Sequence, residues 1–369
     1  MLTPSEFRDL VSGRRDGVRA SLLRGLLRGA EFPYSAAVRL RNWRYDTGRA
    51  ASHRAGVPVI SVGNITLGGT GKTPAVEWLA RWLLERGVRV GLVSRGYGSQ
   101  DGRPNDEALE LAEKLPDVPH VLDPDRVRGA NRAIDEFGCQ LILLDDGFQH
   151  RRLARDFDLV LVDALEPFGF EHVFPRGTLR EPLAGWSRAS ALMLTRAEQL
   201  DVPQRAAIRE RALTFAPQAL WLESTYQPHA LRSIEGAESP LDLLLGKPIA
   251  AFCGIGNPDG FRRALAAQHY SVNAFREFAD HFAYPPDAVA ELTRWVRGAM
   301  LTPREHALGD SNVAAVVCTH KDLVKVGPQW TSETPLLALA SRLEVQTGKP
   351  ELESALRPLV TRALGVTIG

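Results

Sequence analysis

Cysteine is scarce in this chain of 369 residues, and its scarcity excludes two kinds of site. Cys139, Cys253 and Cys318 lie far apart, each inside an apolar run, and no C-x-x-C pair occurs. The sequence therefore gives no sign of a structural zinc site or a disulfide framework, and it favours a reducing cytoplasm. We predict that the three thiols are buried and act as small apolar side chains.

Net charge and long apolar runs are also lacking. The chain carries 45 basic and 44 acidic residues, which argues against a dedicated nucleic-acid binder, so we expect no nucleic-acid partner. No stretch approaches the roughly 18 uninterrupted apolar residues of a membrane-spanning helix, so we expect no transmembrane helix. The length allows two domains, because single cores rarely grow past about 250 to 300 residues.

The first 54 residues are unusual in composition: they hold eleven Arg, no Lys and five acidic residues. In the stretch "VRASLLRGLLRGAEF", residues 18–32, apolar residues recur at helical spacing with arginines between them. Arg24 and Arg28 interrupt the apolar run too early for a signal peptide. One interpretation is a helix that lies on an anionic membrane surface. The other is a helix that packs on the body of the protein, and the residues alone leave both open.

Short apolar runs alternate with helical patterns from residue 57 onward, as in "VPVISV", "VRVGLVS", "LILL", "DLVLVD" and "ALML". This alternation predicts an α/β fold with a mostly parallel sheet and helices on both faces. A second series begins with "PIAAFCGI" at 248–255 and continues to "VAAVVCT" at 313–319. We therefore predict a basic N-terminal helical segment at 1–54, a P-loop domain at 55–224, and a smaller C-terminal α/β domain at 225–369 that closes over the site.

A glycine-rich stretch, "GNITLGGTGKTP" at 63–74, lies between an apolar run and a helical pattern. The Walker A pattern G-x-x-x-x-G-K-[ST] fits except at its first position, which is Thr66. We expect Lys72 to reach the β- and γ-phosphates of a nucleotide and the Thr73 hydroxyl to ligate Mg²⁺. The backbone N–H groups expected to converge on phosphate oxygens belong to Gly68, Gly69, Thr70 and Gly71.

Two acidic residues follow the apolar run in "LILLDDGFQH". Asp145 ends the run and is the expected Walker B carboxylate, which holds Mg²⁺ directly or through water. Asp146 follows on the opposite side of the chain and is free for another role. Together with the glycine loop, the pair predicts phosphoryl transfer or nucleoside triphosphate hydrolysis.

Many P-loop proteins are switches rather than kinases, and the sequence bears on both classes. The stretch "LGGTGKT" resembles the K-G-G-x-G-K-[ST] loop of dimeric ATPases and metal-insertion GTPases, but Leu67 occupies the position of their signature lysine. The stretch "THKDLVK" at 319–325 does not supply the N-K-x-D of guanine-reading GTPases. A regulatory or assembly NTPase that acts on a protein partner stays as the alternative.

Eight segments in order strongly resemble the tetraacyldisaccharide 4'-kinases, the lipid A 4'-kinases of Gram-negative bacteria. They are "SVGNITLGGTGKTP", "SRGYGS", "NDEALELA", "LILLDDGFQHRRLARD", "LREPL", "FCGIGNPDGF", "FADHFAY" and "THKDLVK". The resemblance implies transfer of the γ-phosphate of ATP to the 4'-hydroxyl of a tetraacyldisaccharide 1-phosphate, yielding lipid IVA. It implies a peripheral enzyme on the cytoplasmic face of the inner membrane, without an obligatory protein partner, and it favours the membrane interpretation of residues 18–31.

The same resemblance implies roles for individual residues. Asp106 is the expected base on the sugar hydroxyl, with His281 as the histidine that works with it. Lys72 and Asp146 complete the expected catalytic set, with ATP and Mg²⁺ bound at the glycine loop. Candidates for contacts with phosphates or the sugar are Tyr97, Arg126 and Arg180.

The chain departs from the family pattern at two of these segments. The usual G-D-E-P is "NDEA" at 105–108, which keeps both acids, and Phe282 replaces the second histidine of F-x-D-H-H. In a third segment, T-x-K-D is retained as Thr319, Lys321 and Asp322, with His320 where the family often has Glu.

Overall fold

The computed structural model describes residues 4–96, 106–280, 282–299 and 313–365. Ten helices and twelve strands lie in this part of the chain. The helices are α1 (Pro4–Val11), α2 (Val18–Asp46), α3 (Lys72–Leu84), α4 (Asp106–Lys114), α5 (Arg126–Phe137), α6 (Val202–Phe215), α7 (Pro258–Ala267), α8 (Pro286–Ala299), α9 (His320–Val326) and α10 (Lys349–Ala363). The strands are β1 (Val59–Asn64), β2 (Val90–Ser94), β3 (His120–Leu122), β4 (Leu141–Asp145), β5 (Phe157–Asp163), β6 (Ala191–Thr195), β7 (Leu220–Ser233), β8 (Glu238–Ser239), β9 (Pro248–Cys253), β10 (Ser271–Glu277), β11 (Ala315–Cys318) and β12 (Leu336–Thr347).

The chain divides into two compact units. The first comprises Met1–Thr225 and Leu343–Gly369, and the second comprises Tyr226–Arg342. The division at residue 225 coincides with the expected start of the C-terminal domain, but residues 343–369 return to the first unit. Trp82 donates a hydrogen bond to Glu353 of α10 at 3.1 Å. The second unit is thus shorter than the predicted 225–369, because the chain crosses back before its last helix.

The sheet of the first unit has the strand order β7-β6-β5-β1-β4-β2-β3, and its neighbouring strands pair in parallel. Each residue of β1, β2, β4 and β6 is buried, which explains why these strands read as nearly continuous apolar runs. Helix α3 contributes Ala75, Val76, Leu79 and Leu83 to the core, a spacing that places them on one face. The predicted mostly parallel α/β fold is confirmed.

In the second unit, β10, β9, β11 and β12 are neighbours in that order and pair in parallel. Asp322 of α9 is fully buried there, and it accepts hydrogen bonds from the Tyr284 hydroxyl at 2.9 Å and the Thr319 hydroxyl at 2.6 Å. Cys253 and Cys318 are buried in this unit, and Cys139 is buried in the first. The three thiols are therefore buried, as predicted, and burial raises the pKa of Cys253 to about 12.

Candidate functional site

The glycine loop leaves the carboxyl end of β1 and leads directly into α3, which begins at Lys72. Gly71 has φ of 85° and Gly68 has φ of 114°, conformations that favour glycine. The guanidinium of Arg8, which belongs to α1, lies next to the position that a Cβ would take at Gly68. The loop therefore presents its backbone at the N-terminus of a helix, the usual place for a phosphate.

Thr66, the departure from the Walker A pattern, lies in an isolated antiparallel bridge with Leu179. Leu67 donates its N–H to the Thr178 carbonyl at 2.7 Å, and Arg180 donates its N–H to the Ile65 carbonyl at 2.6 Å. An extended backbone at this position accepts any residue, so glycine is not required. The threonine is thus compatible with the loop, and the pairing brings Arg180 beside it.

Asp145 is the last residue of β4, which pairs in parallel with β1. In this register Val62 is the partner of Asp145, so the carboxylate lies at the strand edge from which the glycine loop departs. Asp145 and Thr73 are both buried, at 8% exposure each. Their carboxylate and hydroxyl oxygens suit Mg²⁺, which is typically held by one or two protein oxygens together with substrate phosphates.

Asp146 adopts a left-handed backbone conformation with φ of 54°. Its carboxylate accepts two hydrogen bonds from Arg180 Nη1, at 3.0 Å and 2.8 Å, and lies 3.9 Å from Lys72 Nζ. Burial raises the pKa of Asp146, but the charges of Lys72 and Arg180 outweigh it, so the pKa lies below its usual range. The structure thus brings together Lys72, Asp146 and Arg180 at the start of α3.

Arg126 is the first residue of α5 and is only 3% exposed. It donates to the Asp123 carbonyl at 3.0 Å, while its Nε has no hydrogen-bond partner within the described ranges. Burial lowers the pKa of Arg126, opposed by the charges of Asp146 and Asp145, and the group remains a cation. A buried arginine whose Nε has no hydrogen-bond partner among the described residues retains a donor for an anion.

Glu181 is a residue of this region for which the sequence predicts no role. It is fully buried and accepts hydrogen bonds from Arg188 at 2.8 and 2.9 Å, from Gln149 at 3.0 Å and from Asn42 at 2.9 Å. Gln149 also donates to the Asn64 carbonyl at 2.9 Å. Glu181 thereby connects α2, the "DDGFQH" segment and the end of β1. The sequence contains Glu181 in "LREPL" and Gln149 in "DDGFQH", but neither motif indicates that these side chains form a hydrogen bond.

The ends of β5 and β6 supply further residues without a predicted role. The Thr195 hydroxyl donates to the Thr70 carbonyl at 2.9 Å, and Arg196 Nη2 donates to the Gly69 carbonyl at 3.0 Å. Arg196 also donates from Nε to Asp163 at 2.9 Å. In the sequence, Asp163 and Thr195 end apolar runs and Arg196 follows one, which alone does not indicate these contacts.

Three predicted site residues are not placed by the structure. Tyr97 and His281 lie outside the described residues, and Asp106 is described only as the first backbone position of α4. Within the described ranges no group of three or more His, Cys, Asp or Glu side chains could hold a metal ion.

Comparisons with known proteins identify the family to which this chain is similar. Residues 23–361 match the sequence profile of the family described as tetraacyldisaccharide-1-P 4'-kinase. The tetraacyldisaccharide 4'-kinase of Anaeromyxobacter dehalogenans (strain 2CP-C) is 36% identical over 363 residues, covering 93% of this chain and 92% of the relative. That of Desulfotalea psychrophila is 32% identical, covering 86% and 92%.

Among solved structures, the chain is similar to LpxK from Aquifex aeolicus, crystallised in complex with ATP. The TM-score is 0.70 at 28% identity, covering 92% of this chain and 99% of that one. The profile match spans residues 23–361, and the two relatives above 30% identity cover 93% and 86% of this chain. The chain therefore belongs to the tetraacyldisaccharide-1-P 4'-kinase family.

Proposed function

We propose that this chain transfers the γ-phosphate of ATP to the 4'-hydroxyl of a tetraacyldisaccharide 1-phosphate and yields lipid IVA. The observation that carries the proposal is the cluster of Lys72, Asp146 and Arg180 at the glycine loop, in a chain of this family. The alternative, a regulatory NTPase with a protein partner, is not favoured, because the family match extends well beyond the P-loop to residue 361.

Phosphoryl transfer requires mainly alignment and charge neutralisation from the protein. Lys72 would neutralise charge on the β- and γ-phosphates, and the N–H groups of the glycine loop would hold their oxygens. Asp146 holds Lys72 and Arg180 near one another, since it is paired with both. Thr73 and Asp145 would hold Mg²⁺, which, when bound, supplies further neutralisation of phosphate charge.

The acceptor side of the reaction is assigned from the family resemblance. Asp106 would accept the proton of the 4'-hydroxyl, and His281 would assist it as a general-base pair, an effect of about 10² to 10⁴ in rate. Arg126, buried and with an unpartnered Nε among the described residues, is a candidate for a phosphate contact. Tyr97 is a candidate for a contact with the sugar.

Helix α2 supports a position at the membrane surface. Only Ala20 and Val38 of its 29 residues are buried, whereas Leu22 is 66%, Leu26 71% and Phe32 79% exposed. Arginines flank these apolar side chains, which is the composition of a helix that lies in an anionic interface. No described helix is both long and apolar enough to cross a bilayer. We therefore infer a peripheral enzyme on the cytoplasmic face of the inner membrane.

The direct test is a transfer assay with ATP labelled at the γ-phosphate, Mg²⁺ and detergent-dispersed tetraacyldisaccharide 1-phosphate. We expect label in the lipid fraction with the wild type and a loss of about 10²-fold or more with Asp106→Asn, at unchanged ATP affinity. Rapid release of inorganic phosphate without labelled lipid would contradict the kinase function. Full turnover by Asp106→Asn would contradict only the assignment of the base.

The membrane position has a separate test. A triple variant, Leu22→Gln with Leu26→Gln and Phe32→Gln, should sediment less with anionic vesicles, because it loses exposed apolar area without disturbing the core. Val202→Gln is the control, since Val202 is 68% exposed on α6. Equal sedimentation of the triple variant and the wild type would indicate that α2 packs on the body of the protein and does not bind the membrane.

A further inference from the structure

Two residues at the end of β6 donate hydrogen bonds to consecutive carbonyl groups of the glycine loop. Thr195 Oγ1 donates to the Thr70 carbonyl at 2.9 Å, and Arg196 Nη2 donates to the Gly69 carbonyl at 3.0 Å. Thr195 is fully buried, and Thr70 is 2% exposed. These contacts join residues that are more than 120 positions apart in sequence, so they are features of the fold rather than of a local turn.

Two contacts with Asp163 fix the orientation of the Arg196 side chain. Its Nε donates to Asp163 Oδ1 at 2.9 Å, and its Nη2 forms an ion pair with Asp163 Oδ2. Asp163 ends β5, and Arg196 directly follows β6, so the two residues lie at the ends of neighbouring parallel strands. Arg196 also has φ of 60°, an uncommon conformation for a residue with a side chain.

Peptide geometry connects these contacts to phosphate binding. In a trans peptide the carbonyl of one residue and the N–H of the next point in opposite directions. Holding the carbonyls of Gly69 and Thr70 toward β6 therefore turns the N–H groups of Thr70 and Gly71 to the opposite side. These are two of the N–H groups expected to bind phosphate oxygens.

We propose that Asp163, Thr195 and Arg196 form a clamp that positions the glycine loop for the phosphates of ATP. Arg196 and Thr195 are positioning residues: they act through the Gly69 and Thr70 carbonyls and do not touch the reacting atoms. Asp163 orients the guanidinium so that one of its nitrogens reaches the loop. The clamp thus sets nucleotide affinity and leaves acceptor affinity unchanged, and this second statement depends on the proposed kinase function.

The test measures the dissociation constant of ATP with Mg²⁺ by calorimetry, without acceptor. Arg196→Gln should weaken ATP binding about tenfold, because a charge-assisted contact to the loop is lost. Arg196→Lys, which retains the charge and one donor, should recover part of that loss. Thr195→Val and Asp163→Asn should weaken binding in the same direction, while the melting midpoint of the nucleotide-free protein changes little for Arg196→Gln.

Arg205→Gln is the matched control. Arg205 pairs with Glu223 at 3.1 Å with side-chain exposures of 27% and 13%, close to the 21% and 14% of Arg196 and Asp163, but Arg205 belongs to α6. In transfer assays, Arg196→Gln should raise KM for ATP and leave KM for the lipid acceptor as in the wild type.

Wild-type ATP affinity in Arg196→Gln, or equal weakening in Arg205→Gln, would overturn the clamp. ATP binding by the wild type without transfer to the lipid would overturn the kinase function while leaving the clamp standing.

Discussion

Replacing Glu181 by glutamine should destabilise the first unit strongly. The carboxylate is fully buried and accepts four hydrogen bonds, two of them from Arg188, whose side chain is 16% exposed. Glutamine has nearly the same shape, so it creates no cavity. It removes the countercharge of Arg188 and directs amide N–H groups toward a site where the neighbours are donors.

The magnitude follows from the cost of leaving a buried charge without its partner. Removal of one member of a buried ion pair costs about 3 to 5 kcal/mol. Because glutamine retains one acceptor oxygen, we expect the lower end, about 3 kcal/mol, which corresponds to a melting midpoint lower by about 6 to 12 °C for a unit of this size. Thermal unfolding followed by circular dichroism measures this directly.

Two further variants test the reasoning. Glu223→Gln should cost less than Glu181→Gln, because the Glu223 and Arg205 side chains are 13% and 27% exposed and keep part of their solvation. Adding Arg188→Gln to Glu181→Gln should recover part of the lost stability, since the unpaired charge is then removed. We expect the melting midpoint of Glu181→Gln to lie about 6 to 12 °C below that of the wild type. A difference of less than about 2 °C would refute the assignment of Glu181 as a buried countercharge.

Three further outcomes follow from the site and from two partly buried histidines. Gly68→Ala should raise KM for ATP severalfold in kinetic assays, because φ of 114° is a backbone conformation that a residue with a Cβ rarely adopts. Lys72→Met should lower turnover about 10²- to 10³-fold at saturating substrates, by loss of a charge that acts on the phosphates. Burial lowers the pKa of His120 and His150 below the ordinary 6.5, so the unfolded chain takes up protons first as the pH falls. Melting midpoints should therefore decrease below about pH 6.5, and less so in a His120→Gln, His150→Gln double variant.

Sequence pattern predicted the strands that are buried on both faces and missed others for identifiable reasons. β1, β4 and β6 are continuous apolar runs, which the parallel sheet requires. β3 has three residues, too few for a periodic signal. β12 runs from "LLALA" into "SRLEVQT", where charged residues interrupt the apolar pattern. The return of residues 343–365 to the first unit depends on contacts far apart in sequence, such as that between Trp82 and Glu353.

In the candidate site, too, contacts between residues far apart in sequence could not be predicted. Lys72, Thr73, Asp145 and Asp146 were predictable, because the glycine loop and the strand-end acids are local patterns with a known chemistry. The bidentate contact of Arg180 with Asp146 was not, since 34 residues separate them and only the fold brings them together. Glu181 follows Arg180 directly, yet nothing in the sequence indicates that it is fully buried.

Helix α2 contacts the segment that contains Arg180. These contacts connect the proposed membrane-binding surface with the proposed phosphate-binding site. The Tyr34 hydroxyl donates to the Arg180 carbonyl at 3.2 Å, and Asn42 donates to Glu181 at 2.9 Å. The apolar side chains of α2 face outward on the same helix, as the exposure of Leu26 shows. If α2 binds the membrane, its contacts with Arg180 and Glu181 would connect the membrane surface to the arginine that contacts Asp146. Because an acylated acceptor resides in the bilayer, the phosphate-binding side chains would be held close to the surface from which the acceptor must come.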